Sequence, residues 1–188
     1  MTQSPYVKSN YPRVPGEYYP TIDPRCVNAL LECVSIRKDL VIFDVCAPQG
    51  SGIIDALQAC GRQNAFCKPD AFEKFIAADW VVTNPPFTRP LVDQIIERQI
   101  ERQIERMRHN EIGGFACLLR SNFDHAKSRQ HIFKNEPLYS GQIKMLFRPL
   151  WFKIKKKGPI HNYVWHIWKY SEEPLYKTVN YADGDLHE

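Results

Sequence analysis

The stretch LVIFDVCAPQGSG, residues 40–52, joins an apolar run to a turn of small residues. Its first part, Leu40–Cys46, is short and nearly continuously apolar, which is typical of a strand buried on both faces of a parallel sheet. Proline and glycine then end the strand, and residues 53–60 predict a helix. This strand, turn and helix predict an α/β fold, with small residues where a backbone can approach a ligand closely.

A second motif, NPPF at residues 84–87, follows the apolar strand Trp80–Thr83. One interpretation is an ordinary proline turn, in which Asn84 only bonds neighbouring backbone groups. The functional interpretation is a polar clamp beside a stacking surface, made by an amide, two rigid prolines and an aromatic ring. Ligands of α/β sheets bind beyond the carboxyl ends of the strands, where both motifs lie. We therefore expect the two turns to adjoin and to form one site.

The remaining segments predict a single domain over residues 1–188. Residues 1–20 carry four prolines and four tyrosines, which predicts an extended arm, and residues 171–188 predict a flexible tail. Helices and strands alternate between them and close on a hairpin, which predicts a mostly parallel sheet with an antiparallel edge hairpin. The later elements are a helix over 89–110 and strands over 115–119, 142–147 and 162–168.

The composition is that of an ordinary soluble protein with a net charge of +4. The six cysteines form no CxxC pair, and the histidines have no metal-ligand spacing, so we expect reduced thiols and no metal. Neither a signal sequence nor an apolar run long enough to span a membrane is found. These features favour a cytoplasmic protein that does not bind a membrane.

Basic and aromatic residues interleave between Pro137 and Ser171, a segment without any Asp or Glu. A solvated hairpin with tryptophans packed inside is one interpretation, and we adopt it for Trp165 and Trp168. The lysines of the loop that joins the predicted strands 142–147 and 162–168 suit phosphate contacts instead. Arg120 stands at the carboxyl end of another predicted strand, residues 115–119. We predict nucleic-acid contacts at Arg120, Lys153, Lys155, Lys156 and Lys157.

The NPPF motif matches, residue for residue, the catalytic motif of enzymes that methylate adenine N6 in DNA. The chain thus resembles the class I S-adenosylmethionine-dependent methyltransferases, and within them the DNA adenine N6-methyltransferases. Residues 44–52 are similar to the family's cofactor motif, although Val45 replaces its proline and Pro48 stands at its first glycine. Residues 159–163 resemble a turn of phage-borne and prophage-like relatives, which implies a bacterial or phage-infected cell.

The resemblance implies a Rossmann-like class I methyltransferase fold, with helices on both faces of the sheet, and S-adenosylmethionine as methyl donor. It also implies that Asn84, Pro85, Pro86 and Phe87 are catalytic. The residues implied for the cofactor are Tyr19, Thr21, Asp44, Cys46, Ala47, Gly50 and Asp70. Little chain is left for a separate recognition domain, so we expect a short or loose DNA sequence preference unless a homodimer or a specificity partner contributes.

The chemistry explains the types of residue in the motif. The lone pair of an adenine amine is delocalised into the ring, so the amine is a poor nucleophile. The Asn84 side-chain oxygen and the Pro85 carbonyl can accept its two hydrogens, which favours a pyramidal and positively charged nitrogen. Phe87 can stack on an extruded base, while the two prolines hold the acceptors rigid.

Two alternatives remain open at this point. The first is a different substrate, because the same acceptors suit adenine in RNA or the side-chain amide of a protein glutamine. The segment between Gly61 and Trp80 is short, and Asp70 can fill only one of two acidic positions that the family uses for its cofactor. The second alternative is therefore a nucleic-acid-binding protein that has lost the cofactor.

Overall fold

The computed structural model describes residues 21–47, 50–68, 71–72, 78–88, 90–109, 113–151, 161–169 and 178–185. The predicted arm over residues 1–20 lies outside the described residues. Within them, the chain forms one sheet with helices packed against both of its faces.

Among the described residues, seven strands make up this sheet, in the order β2-β1-β3-β4-β6-β5-β7. Strands β2, β1, β3 and β4 run parallel to one another, β6 is antiparallel to both β4 and β5, and β7 is parallel to β5. Their bounds are Ile42–Asp44 (β1), Ala65–Cys67 (β2), Trp80–Thr83 (β3), Gly114–Arg120 (β4), Tyr139–Met145 (β5), Tyr163–Lys169 (β6) and Thr178–Ala182 (β7).

The predicted fold class is confirmed: a Rossmann-like α/β sheet, mostly parallel, with an antiparallel hairpin and helices on both faces. One detail is corrected, because the hairpin of β5 and β6 is not the outermost pair. Strand β7 forms inside the segment that was predicted to be a flexible tail. Its sequence, TVNYA, contains two β-branched residues and one aromatic residue, which favour a strand, and it pairs with β5 from Gly141 to Met145.

Helices α1 (Arg25–Cys33) and α2 (Gly52–Ala59) pack on one face of the sheet. Helix α3 (Leu91–Arg108) packs on the other face, together with the short 3₁₀ turns Phe123–His125 and Lys127–Arg129. The predicted burial of Trp165 and Trp168 is confirmed, since both are fully buried within β6. They belong to the two opposite cores, as successive side chains of a strand point to alternate faces.

The sequence of α3 contains a short repeat, IERQ-IERQ-IER, that begins at Ile96 and gives the helix both an apolar face and buried amides. Ile96 and Ile100 are buried against the sheet, at the spacing of four that keeps them on one side of a helix. Gln99 and Gln103 are buried as well, and their amides donate to the carbonyl oxygens of Ala71 and Gly114. These bonds satisfy polar groups in the core and attach α3 to the chain before β3 and to the start of β4.

The order of the strands determines where a ligand can bind. Strand β1 lies between β2 and β3, so the chain leaves β1 toward one neighbour and later returns to the other. Such a switch point opens a crevice beyond the carboxyl ends of the central strands. Asp44 ends β1 and Thr83 ends β3 at this crevice.

Candidate functional site

The carboxylate of Asp44 is the centre of the site. Asp44 is 2% exposed, and its Oδ1 accepts a bond of 2.6 Å from the Thr83 hydroxyl, 39 residues later in the chain. Its Oδ2 accepts a bond of 2.6 Å from the Ser51 hydroxyl, and the backbone N–H of Cys46 donates to Oδ1. One side chain therefore joins the end of β1, the start of α2 and the end of β3.

Ser51 extends this connection to the first turn of α2. Its hydroxyl oxygen accepts from the backbone N–H groups of Ile53 and Ile54, while its O–H donates a hydrogen bond to Asp44. This is an N-cap, which satisfies two of the N–H groups that a helix leaves without a partner at its start. The cap and the carboxylate together orient α2 relative to the turn.

Burial determines the protonation of the groups in the turn. It raises the pKa of the Asp44 carboxyl above its ordinary value, although the bonds from Ser51, Thr83 and Cys46 act in the opposite direction. Burial likewise raises the pKa of the Cys46 thiol to about 12, with the Asp44 charge adding to the effect. Cys46 is therefore a neutral thiol near pH 7, and it is no candidate for a reactive thiolate.

The glycines of the turn have different structural roles. Gly50 has φ of 102°, a conformation that L side chains rarely adopt, and no described atom lies within 4 Å of a Cβ built on it. At Gly52 a Cβ would overlap the carbonyl oxygen of Thr21. Gly50 thus leaves open space beside the turn, while Gly52 lets residues 21–22 cross the start of α2.

Thr21 carries a buried hydroxyl beside the glycine turn. It is 4% exposed, and among the described residues its hydroxyl has no hydrogen-bond partner. A buried hydroxyl without a partner is costly, which makes it suited to a ligand or a water molecule. Its backbone packs on Gly52, so the open side of the glycine turn and this hydroxyl belong to one region.

Gly52→Ala tests this close packing. The added methyl group forces residues 21–22 away from α2, and overpacking of this kind typically costs about 1–3 kcal/mol. We expect a lower urea midpoint than for the wild type. Gly50→Ala is the contrasting variant, because it adds the same methyl group to open space and carries only the backbone strain, about 1–2 kcal/mol. An unchanged midpoint for Gly52→Ala would show that residues 21–22 do not press on the helix.

The NPPF motif begins directly after Thr83, whose hydroxyl donates to Asp44. Asn84 comes after Thr83 and is 2% exposed, Pro85 is buried, and Pro86 and Phe87 are half-buried. The Phe87 ring lies 5.4 Å from the Tyr163 ring, centroid to centroid, and the Tyr163 ring lies 4.9 Å from that of Trp151. These three rings form what we call the Phe87 aromatic cluster.

Arg120 joins this cluster from the carboxyl end of β4. Its guanidinium carbon lies 5.4 Å from the centroid of the Phe87 ring, within the range of a cation–π contact. A cation above an aromatic ring at a strand end can face a phosphate while it packs on the ring. The nucleic-acid contact that the sequence analysis predicts at Arg120 stays a prediction.

The structure brings together many of the predicted site residues. The turn that holds Asp44, Cys46, Ala47 and Gly50 adjoins Thr21 on one side and the NPPF residues on the other. The carboxylate of Asp44 is bonded to protein donors, so its contribution is to shape the turn. Tyr19, Asp70, Lys153, Lys155, Lys156 and Lys157 lie outside the described residues.

Sequence reasoning missed four residues of the site. Ser51 and Thr83 supply the hydroxyls that bond Asp44, while Tyr163 and Trp151 support Phe87. Ser51 carried a detectable signal, because serine is a common N-cap and Ser51 stands two residues before the predicted start of the helix. No local pattern indicates the other three, since their contacts join distant parts of the chain.

Within the described part of the chain, no group of three or more His, Cys, Asp or Glu side chains could hold a metal ion. No helix of that part has the length and apolar character to cross a membrane.

Comparisons with known proteins add a likeness of fold to solved structures. No protein-family profile and no curated protein matches this sequence. A crystal structure from Listeria monocytogenes, provisionally assigned to the class I S-adenosylmethionine-dependent methyltransferases, is similar with a TM-score of 0.45 and 13% sequence identity. The match covers 83% of this chain and 62% of that one, so this chain spans less than two thirds of that protein.

Proposed function

We propose that this protein transfers a methyl group from S-adenosylmethionine to the N6 amine of adenine in DNA. The observation that carries the proposal is the Asp44 carboxylate, which accepts from both Ser51 and Thr83. Through these bonds the glycine turn of the donor site adjoins the residue before Asn84. A donor and an acceptor must lie side by side for group transfer, and this arrangement supports that requirement.

The described residues fit the methyl donor. The Thr21 hydroxyl, buried and without a partner among the described residues, can bond its polar groups. The open backbone at Gly50 leaves space for close approach, and the first turn of α2 is held by the Ser51 cap. When bound, S-adenosylmethionine supplies an electrophilic methyl group, and these residues would hold it facing Asn84.

Asn84 and Pro85 act on the amine that accepts the methyl group. The Asn84 side-chain oxygen and the Pro85 carbonyl accept the two amine hydrogens, which localises the nitrogen lone pair. Both residues are buried, so these acceptors act in a water-poor site where hydrogen bonds are strong. No general base is required at this stage, because the amine begins neutral.

Phe87 and Arg120 support a nucleic-acid substrate. The half-buried Phe87 ring is held by Tyr163, and stacking of a base on an aromatic ring is worth about 1–3 kcal/mol. Adenine in a duplex must leave the stack to reach a buried acceptor pair. The Arg120 cation beside the ring favours a phosphate-bearing substrate over a protein glutamine.

The experiment that tests the function is a transfer assay with labelled S-adenosylmethionine. The protein is incubated separately with duplex DNA, RNA and a protein extract, and the products are digested. We expect label in N6-methyladenine from the DNA. Label in RNA adenine would change the substrate, and label found only in protein would overturn the nucleic-acid assignment.

A non-catalytic nucleic-acid-binding protein is the second candidate. The observation that favours it is the connection from β2 to β3, in which residues 68–79 leave little chain for the acidic contacts that the donor's ribose and adenine require. Calorimetric titration with S-adenosylmethionine separates the two candidates. Absence of binding at millimolar ligand would eliminate methyl transfer and leave the binding protein.

Replacing Lys155, Lys156 and Lys157 with glutamine should weaken DNA binding and reduce its salt dependence. Each lost phosphate contact lowers the slope of log K against log salt by about 0.9, so the slope should fall by up to roughly three. Fluorescence anisotropy at several salt concentrations measures it. The control removes the same charge elsewhere, at Lys38, Lys134 and Lys144. Equal slopes for the two variants would show that these three lysines do not contact phosphate.

A further inference from the structure

Strand β7 (Thr178–Ala182) is the last strand at one end of the sheet, and β5 is its only neighbour among the described residues. The N–H of Leu146 donates to the carbonyl oxygen of Ala182, so the backbone groups of Ala182 face β5. Successive residues of a paired strand direct these groups to alternate sides. The N–H and C=O groups of Val179 and Tyr181 therefore point outward, away from β5.

The same two residues carry exposed side chains. Val179 is 44% exposed and Tyr181 is 61% exposed. Their partners on β5, Gln142 and Lys144, flank Ile143, which points into the core on the α1 and α2 side. Side chains alternate along a strand, so Val179 and Tyr181 lie on the α3 side of the sheet. Outward backbone groups and apolar side chains thus occur together at this end of the sheet.

The two edges of the sheet differ in their protection against pairing. Proteins usually blunt an exposed edge with a very short strand, a charged side chain, a proline or a bulge. Strand β2, at the opposite edge, has only three residues. Strand β7 has five, none of them charged or proline, and its pairing with β5 shows no shift of register. An edge of this kind is a template for another strand.

The sequence TVNYA suits pairing with a second copy of itself. In an antiparallel pair centred on Asn180, Val179 of each copy lies opposite Tyr181 of the other, so both outward residues find a partner. Each such pair can exchange both of its N–H···O=C bonds. Aromatic and β-branched residues opposite each other stabilise antiparallel strands, and an uncharged strand brings no like charges together at the symmetry axis.

We propose that this protein forms a symmetric homodimer in which β7 pairs antiparallel with β7 of a second copy, about a two-fold axis at Asn180. The two sheets become one continuous sheet. A strand of five residues makes a small interface, so the dimer dissociates on dilution. This inference does not depend on the proposed function.

The direction of β7 determines how the two candidate sites are arranged in the dimer. Strand β7 is parallel to β5, and both β5 and β4 are antiparallel to β6, so β7 runs in the same direction as the central strands. Its carboxyl end lies at the edge with the glycine turn and the NPPF motif. Antiparallel pairing directs these edges of the two copies to opposite sides. The dimer leaves both sites open and does not join them into one recognition surface.

Sedimentation equilibrium over a concentration range of about a thousandfold tests whether the dimer forms. The mass of the full chain should rise from 21.9 kDa toward twice that value. Val179→Pro removes an outward N–H and leaves the bonds to β5, because proline is tolerated where the N–H of an edge strand points away from the sheet. It should raise the dissociation constant at least about tenfold. Val179→Thr keeps the N–H and the branched shape, and it should stay within about twofold of the wild type.

Asn180→Cys tests the register of the pair. Residues opposite each other at the axis exchange no hydrogen bond and have Cα atoms about 4.5 Å apart, which is within the range of a disulfide. Oxidation with diamide should therefore link the two copies. Val179→Cys is the matched control, since this position lies opposite Tyr181 and should link at least about tenfold more slowly. The wild type, with its exposed Cys67, gives the background rate.

Each outcome supports or overturns the inference. Reversible dimers that Val179→Pro weakens, together with fast linking of Asn180→Cys, support it. Dimers in which Asn180→Cys links no faster than Val179→Cys, or which Val179→Pro leaves unchanged, would place the interface elsewhere and overturn it. A monomer at every concentration would also overturn it, and slow amide exchange at Val179 and Tyr181 would then show that the chain covers this edge itself. Methyl transfer stands or fails separately in every case.

Discussion

Asn84→Ala is expected to reduce methyl transfer by about a hundredfold to a thousandfold, the usual effect of removing one preorganised polar group from a transition state. The affinity for S-adenosylmethionine should change little, because the amide addresses the amine and the donor site is formed by other residues. Single-turnover rates with saturating DNA and donor measure the first quantity, and calorimetry measures the second.

The physical reason lies in the position of Asn84. It is buried directly after Thr83, whose hydroxyl is fixed on Asp44, so its side chain starts from a rigid point. A preorganised acceptor stabilises developing positive charge without the cost of reorientation, and water cannot replace it in a buried site. The loss should therefore appear in kcat more than in KM.

Two variants control for nonspecific effects. Asn180→Ala removes an exposed amide from β7, four strands away from β3, and should leave the rate unchanged. Asn84→Asp keeps an acceptor oxygen in place and should retain more activity than the alanine variant. Full turnover by a correctly folded Asn84→Ala protein would remove Asn84 from the mechanism.

Asp44→Ala is expected to destabilise the protein by about 3–5 kcal/mol, because it leaves three buried donors without their acceptor. Those donors are the hydroxyls of Ser51 and Thr83 and the backbone N–H of Cys46. A domain of ordinary stability has only about 5–15 kcal/mol in total, so this variant should be close to unfolding at 37 °C. Urea unfolding at 15 °C compares the free energy of unfolding of the variant with that of the wild type.

Asp44→Asn separates stability from function at the same position. One acceptor oxygen remains and the cost of burying a charge disappears, so we expect a smaller loss, about 1–2 kcal/mol. The single amide oxygen cannot replace both carboxylate oxygens, so it loses the bond from either the Ser51 or the Thr83 hydroxyl. Either the glycine turn after β1 or the NPPF turn after β3 should then move. Donor binding should weaken even at temperatures where the variant is folded. Asp39→Ala, at an exposed site, is the control and should change neither property.

A wild-type unfolding midpoint for Asp44→Ala would contradict the central role of this carboxylate. Wild-type donor affinity in Asp44→Asn would show that the turn keeps its shape without both bonds. Either result would remove the observation on which the proposed function rests. The transfer assay and these two variants therefore test the proposal independently.

Part of the fold and site could be predicted from local pattern alone. The apolar runs that became β3 and β4 are buried, as runs of that type are in parallel sheets, whereas the run that became β1 is buried except for the half-buried Phe43. The small-residue turn after β1 and the NPPF motif after β3 lie at one edge, because parallel strands end on the same side. Strand β7 was missed, since a five-residue strand at the edge of a sheet has a weak local signal.

The sequence by itself determined the central strands β1, β3 and β4, the apolar runs that they carry, and that two polar turns follow parallel strands at the carboxyl edge of the sheet. Only the tertiary structure decided that Asp44 bonds both Ser51 and Thr83, that Tyr163 supports Phe87, and that the Asp23 carboxylate accepts from the backbone N–H of Leu150. The reason is physical. Periodicity encodes the direction in which a side chain points, whereas a hydrogen bond between residues 39 or 127 positions apart depends on how strands and helices pack.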